Sequence, residues 1–238
     1  MEGVTEALLA IRDRWHTKNH PFFDDWEAGR LTLPQMGQYM AQHYLLVKEI
    51  LRPYGVCYAR APEDVQAFII ENLAEEFGLV GEGGGAPKNH NAILLRWTET
   101  CGLSADDVIK NTQRLPELTA LLDIMWRLAY LAPWQVWLAA QAAQESQQVG
   151  IQLRTVPALR QHYGFSEGDA RIEWFEEHLT ADTEHGRRFF ELAAKYITDE
   201  ALLEQCKAAV EETCKARWKY MDAVYTTFVG PLPERAAR

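Results

Sequence analysis

His178, Asp182 and His185 interrupt an apolar stripe. Ile172, Phe175 and Leu179 set that stripe in the segment 168–197, and Phe189, Leu192 and Tyr196 continue it. At 3.6 residues per turn, positions i, i+4 and i+7 fall within roughly 60° of one another, so two imidazoles and a carboxylate leave one face together. Burying them unpaired is costly. A divalent metal would compensate, because His and carboxylate are the usual ligands of iron, manganese and zinc. The alternative is a His–Asp pair that satisfies itself in a core or at a dimer interface.

Three further residues could join them. In the segment 63–77, Val65, Ile69 and Leu73 set an apolar stripe whose next position is Glu76, while Glu75 lines up with Glu71 and Asp64 on a solvated edge. Glu76 is then a misplaced carboxylate, or a helix-end Glu reaching water. The segment 134–150 turns from Trp134 and Trp137 to Ala139, Ala140, Ala142 and Ala143, then to Glu145, with Gln141 and Gln148 on the same face. Small side chains let neighbours approach or leave a cavity, and a carboxylate with amides at i−4 and i+3 resembles a metal ligand with supporting hydrogen bonds. A polar surface on an Ala-rich helix explains it equally. His90 follows a Gly-rich loop at the start of a helix, where a surface His is the plainer account. Carboxylates on two helices with His/carboxylate sets on others form the ligand supply of a two-metal site in a helical bundle.

The elements that must position these residues read as all-α. Helical periodicity dominates and alternating β-branched runs are absent. Helices are expected over about 4–17, from Thr32-Leu33-Pro34 to about 60, over 62–78, from Asn89 to just before Gly102, and from Ser104 for a short stretch. Longer ones follow over about 117–131, 134–150, 168–197 and 199–228, with 151–167 partly helical. Asn19-His20-Pro21 reads as a stop. Residues 1–230 then form one helical domain, and 231–238 a flexible tail.

At 238 residues the chain suits one large domain with a substantial core. Its 24 Lys and Arg against 34 Asp and Glu give a net charge of −10, which argues against a nucleic-acid partner or an anionic membrane surface. No apolar run spans a bilayer. The acidic start Met1-Glu2-Gly3 lacks a secretory pattern, so a cytoplasmic protein is expected. Cys57, Cys101, Cys206 and Cys214 form no C-x-x-C pair and read as reduced thiols packed in helices.

Over about residues 18–228 the chain resembles the haem-oxygenase-like di-iron oxidases, in particular the branches of the chlamydial death-domain-associated protein and of pyrroloquinoline quinone synthase C. The likeness is carried by His20-Pro21-Phe22-Phe23, by Asn72-Leu73-Ala74-Glu75-Glu76, by Gln144-Glu145-Ser146-Gln147 and most specifically by Phe175 to His185. It implies a single-domain seven-helix haem-oxygenase-like bundle, commonly a homodimer. It implies Glu76, His90, Glu145, His178, Asp182 and His185 as ligands of two Fe ions, or of Fe with Mn, and O2 as co-substrate. It makes Glu76, Glu145 and Asp182 the catalytic carboxylates of that centre, with Glu145 bridging or facing both ions.

Three departures qualify the resemblance. Thirteen residues, including the Gly-rich loop, separate Glu76 from His90, where the family's His follows its Glu more closely. The chlamydial branch makes para-aminobenzoate from one of its own tyrosines with a nearby lysine; the matching positions are Phe23 and Thr155, so that self-sacrificing chemistry is not expected. The related TenA thiaminases use a cysteine after a Pro in the mid-chain helix, whereas Trp134 follows Pro133 here.

The function implied is an O2-dependent oxidation of a small metabolite, amino acid-like or fatty acid-like: N-oxygenation, desaturation or carbon–carbon cleavage. Pocket candidates lie on the second long helix, where Met36, Met40, Val47 and Leu51 set the inner stripe and His43 and Tyr44 stand beside it as substrate-binding candidates. Lys48 or Arg52 could pair with a substrate carboxylate. Two rivals differ in kind. One is a cofactor-free oxidase like the quinone synthases. The other is a non-catalytic interaction protein, with Tyr220, Val224 and Phe228 of the last helix packed on a partner.

Overall fold

The computed structural model describes residues 3–81, 86–180 and 182–234, and the side chains of these except 180–185. Among the described residues, thirteen α-helical segments and one short 3-10 turn (Thr17–Asn19) make up the regular structure, with no strand. In chain order they are α1 (Val4–Arg14), α2 (Pro21–Glu27), α3 (Leu33–Ile50), α4 (Tyr54–Tyr58), α5 (Glu63–Glu76), α6 (His90–Thr100) and α7 (Ala105–Asn111). There follow α8 (Pro116–Leu131), α9 (Trp134–Glu145), α10 (Gln147–His162), α11 (Glu173–Thr180), α12 (Asp182–Tyr196) and α13 (Glu200–Phe228). The expected all-α fold is found. The tail beyond residue 234 lies outside the described residues.

Helix starts follow local chemistry. Thr32 and Gln35 form a reciprocal capping box at α3. Asn89, Ser104 and Asp199 accept from backbone N–H groups at the starts of α6, α7 and α13. His20-Pro21, read as a stop, is also a start: His20 accepts from Phe22 N and Pro21 opens α2. Pro is at home in a first turn because that N–H has no helical partner anyway.

Two long helices expected from periodicity are each divided. Pro53 separates α3 from α4. The segment 134–150 breaks at Ser146, and helix then continues to His162 through what read as partly irregular chain. The segment 168–197 is helical over 173–180 (α11) and 182–196 (α12), and residue 181 between them lies outside the described residues. The break at Ser146 has a tertiary cause. Arg217 Nη1 donates to Gln144 O at 2.7 Å and Arg12 Nη1 to Ser146 O at 3.1 Å. Guanidinium groups from α13 and α1 thus occupy carbonyls that a continuous helix would have bonded internally.

The axis of the bundle is α9. Its residues Val136 to Gln144 are buried without interruption, so it is enclosed on all sides. Helices α8, α12 and α13 pack around it, and Ala139, Ala140, Ala142 and Ala143 allow their close approach. A second layer gathers Phe22, Phe23, Trp26, Tyr39, Trp97 and Phe175 in edge and stacked contacts. Each such ring contributes about 2–3 kcal/mol of burial. Tyr220 and Val224 are buried in this core rather than offered to a partner. All four cysteines are buried and free. No helix among the described residues is long and apolar enough to cross a membrane.

Candidate metal centre

Glu76 lies in the last turn of α5 and His90 opens α6. The intervening excursion is returned by Gly78, at φ +67°, whose missing Cβ lets the chain at Lys88 and Asn89 pass against it. Asn89 then donates from Nδ2 to Phe77 O at 3.0 Å while its Oδ1 accepts from Ala92 N at 3.0 Å. One side chain thus ties the end of α5 to the start of α6. As a result His90 Nδ1 stands 3.0 Å from Glu76 Oε2 despite the long sequence separation.

His178 comes from α11 and completes the group. Ligand atoms of Glu76, His90 and His178 lie within 4.8 Å of one another, and the two rings are 4.8 Å apart between centroids. Both histidines are buried and Glu76 is half-buried. His178 Nδ1 is 2.7 Å from Trp174 O, which can only accept. The proton therefore sits on Nδ1, and Nε2 carries the lone pair, the arrangement a metal-binding imidazole needs. Trp174 also packs its ring on His178, with centroids 4.1 Å apart.

Glu145 ends α9 and lines the same cavity, of about 40 Å3, as Glu76, His90 and His178. Tyr54 OH and Gln141 Nε2 donate to its Oε1 at 3.1 and 2.6 Å, fixing the carboxylate. Burial, then the charges of Glu145 and Glu76, hold the Tyr54 hydroxyl well above its ordinary pKa, so it remains a donor. The donor set fits a transition-metal ion: imidazole nitrogen and carboxylate oxygen converge, and ligands of such an ion at ~2.1 Å stand ~3 Å from their neighbours.

The side chains of Asp182 and His185 lie outside the described residues. The backbone of α12 can be placed: a Cβ at Gly186 would stand 3.0 Å from Ser146 Cβ, so the first turns of α12 run beside the end of α9. Among the pocket candidates, His43 lines the cavity and Tyr44 does not. Burial first, then the charges of Arg217 and His178, hold the His43 imidazole well below its ordinary pKa, hence neutral.

Several expectations need correction. Glu75 is buried, 6 % exposed, rather than on a solvated edge, because the buried face of α5 runs through Val65, Phe68, Ile69 and Asn72 to Glu75. Gln148 does not support Glu145. The break at Ser146 turns it to His43, with Nε2 to Nε2 at 3.3 Å. Lys48 and Arg52 are exposed, Arg52 pairing with Glu49, and neither lines the cavity. Arg217 and Gln144 line it instead, neither of them expected there from the sequence. The signal was present: Arg217 interrupts the stripe of Val210, Cys214, Met221 and Val224, as Glu76 interrupts its own.

A sequence model of haem-oxygenase-like proteins, described as iron-containing redox enzymes, matches residues 37–218. The chain belongs to this family. A 4-aminobenzoate synthase of Nitrosomonas europaea is 26 % identical over 228 residues, covering 91 % of this chain and 89 % of that one. A pyrroloquinoline-quinone synthase of Pseudomonas aeruginosa is 26 % identical over 223 residues, covering 92 % and 85 %. Among solved structures, a TenA homologue from Pseudomonas syringae superposes with a TM-score of 0.78 at 14 % identity, covering 93 % of this chain and 92 % of that one. A domain with a heme oxygenase-like fold from Shewanella denitrificans gives 0.75 at 17 % identity, covering 98 % and 96 %. At such identities the structural likeness speaks for the fold alone. The haem-oxygenase-like assignment agrees with the resemblance in the ligand helices, and the family's iron with the donor set around Glu76.

Proposed function

We propose that the protein is an O2-dependent non-haem di-iron oxidoreductase of a small metabolite, amino acid-like or fatty acid-like, acting by N-oxygenation, desaturation or carbon–carbon cleavage. The observation that carries this is the convergence of Glu76, His90 and His178 beside Glu145, in a chain of an iron-containing redox family. Glu76, His90, Glu145, His178, Asp182 and His185 would hold two ions, Fe or Fe with Mn. Bound iron supplies the one-electron steps by which O2 reacts with an organic substrate.

The chain's own residues do the rest. Trp174 O holds His178 with its lone pair on Nε2. Tyr54 and Gln141 hold Glu145 against rotation. Leu46, Val47, Ile50 and Leu51 give the cavity an apolar wall, while neutral His43 offers a hydrogen-bonding edge. The relatives named 4-aminobenzoate synthase do not fix this chain's substrate. At the positions matched to that chemistry it has Phe23, wholly enclosed, and Thr155, whose hydroxyl donates to Gln152 Oε1 at 2.6 Å. A cytoplasmic homodimer is the expected assembly, which size-exclusion chromatography with light scattering would test.

The test is to load the protein with Fe(II) without oxygen, count bound iron and admit O2 in a stopped-flow spectrometer. About two irons per chain and a transient visible band, both lost in Glu76→Ala and Asp182→Ala, are expected. No iron and no transient would overturn the proposal and leave a metal-free oxidase.

A further inference from the structure

Arg217 is 4 % exposed, in the middle of the apolar face of α13. Its Nη1 donates to Gln144 O at 2.7 Å and to Gln144 Oε1 at 3.4 Å. Nε and Nη2 donate to no described residue, and no described carboxylate pairs with the guanidinium. A cation enclosed in protein without a counter-charge is costly, and a role in holding the end of α9 needs only Nη1. The guanidinium lines the cavity of Glu76, His90, Glu145 and His178, and its charge helps keep His43 neutral.

Gln144 adds a second donor. Its Oε1 faces Arg217, so its amide nitrogen is turned away from the guanidinium, and that Nε2 is buried without a partner. Arg217 and Gln144 thus line one cavity while Nε and Nη2 of the guanidinium and Nε2 of the amide have no acceptor among the described residues. Forked guanidinium donors beside an amide N–H match the two oxygens of a carboxylate. The 40 Å3 available is room for about three water-sized groups, the size of a carboxylate. Leu46, Val47, Ile50 and Leu51 offer an apolar path for whatever the carboxylate is attached to.

We propose that Arg217, assisted by Gln144, binds the carboxylate of the substrate and so selects for carboxylic acids at this site. The proposal rests on the di-iron reading insofar as the bound acid is the molecule oxidised, but binding itself can be measured without turnover. A fatty acid and an α-amino acid share the carboxylate, and hexanoate and L-norleucine differ only in the α-amino group.

The test is calorimetric titration of anaerobic, iron-loaded protein with hexanoate, L-norleucine and neutral hexanamide, alongside Arg217→Gln and Arg217→Lys. Iron content is counted in every sample, so that failure of the metal centre is seen separately from failure of the anchor. At least one acid should bind on the order of thirty-fold more tightly than hexanamide, and Arg217→Gln should abolish that preference. Arg217→Lys should retain part of it, since charge persists but the fork is lost. Tighter binding of hexanoate would point to a fatty acid, and of norleucine to an amino acid. Equal binding of acid and amide by the wild type, no binding of either acid, or unaltered binding of the preferred acid by Arg217→Gln would each overturn the proposal. The acid-to-amide comparison needs no variant, so it stands even if Arg217→Gln fails to fold.

Discussion

Gly78→Ala should cost the protein iron as well as stability. Gly78 has φ +67°, where an L-residue is strained by ~1–2 kcal/mol. A Cβ there would lie 2.5 Å from Asn89 N and 2.7 Å from Lys88 C. Both are backbone atoms, so no side chain can swing aside, and the chain must withdraw by about 1 Å to reach ordinary contact. Asn89 then loses its hold on Phe77 O and weakens the α6 cap, which is worth ~1 kcal/mol. The combined loss is ~2–3 kcal/mol, or ~5–10 °C in Tm for a chain of this length. His90 follows directly, and its 3.0 Å approach to Glu76 would open by more than the ~0.5 Å a preorganised site tolerates. Gly102 provides the control. It has φ +88° with nothing within 4 Å of its Cβ position, so Gly102→Ala carries the strain without the collision. Thermal unfolding and Fe(II) competition against a chelator should show both variants destabilised but only Gly78→Ala short of iron, by about tenfold or more. If Gly78→Ala binds iron like the wild type and unfolds no earlier than Gly102→Ala, close packing at Gly78 is not what delivers His90.

Tyr54→Phe removes a donor to Glu145 while keeping the ring, and should weaken iron binding or slow oxidation by ~10–100-fold, with a far smaller change in Tm. Stability should fall below pH 6.5 because of His16, whose pKa is lowered to about 2 by burial first and then by Arg12, Lys18 and Arg217. Only the unfolded chain takes up that proton, so stability is complete above pH 6.5 and falls by ~2 kcal/mol at pH 5, as urea titrations would show. His16→Asn can still accept from Lys18 N and should flatten this dependence. Gly150→Ala would bring a Cβ within 2.7 Å of His16 Nε2 and should destabilise the wild type more than it destabilises His16→Asn, by a double-mutant cycle.

Local signals carried much of the fold. Capping residues Thr32, Asn89, Ser104 and Asp199 mark helix starts because their partners lie three residues away. The break at Ser146 left no such mark, since its cause is Arg12 and Arg217, each more than seventy residues distant. Periodicity therefore ran one helix from 134 to 150 and gave Gln148 the wrong partner. Glu76 and His178 were legible as polar residues against an apolar pattern, His90 through the family resemblance, and the structure brings the three together. Glu75 was misjudged because three apolar residues define a stripe too narrow for the buried face of α5. Arg217 obeys the same rule as Glu76, but a cation cannot ligate a metal and so lies outside the donor pattern.

The enclosed α9 explains why these groups can act as one site. A helix with nine successive buried residues cannot shift without moving α8, α12 and α13. Glu145 at its end is held by Tyr54 and Gln141, and the carbonyl of the neighbouring Gln144 by Arg217. The proposed carboxylate anchor is thus bonded to the residue adjoining a proposed metal ligand, at the end of the enclosed helix α9. Substrate position and ligand position would be set together rather than by separate loops. The same link means that Arg217 has two roles. It holds the end of α9 through Nη1, and in the proposal Nε and Nη2 take the carboxylate. Arg217→Lys should separate them, because one ammonium can still meet Gln144 O but cannot also present a fork. Iron content near the wild-type value with weakened acid binding is the expected pattern. Loss of both in proportion would mean that Arg217 serves only to hold the helix end.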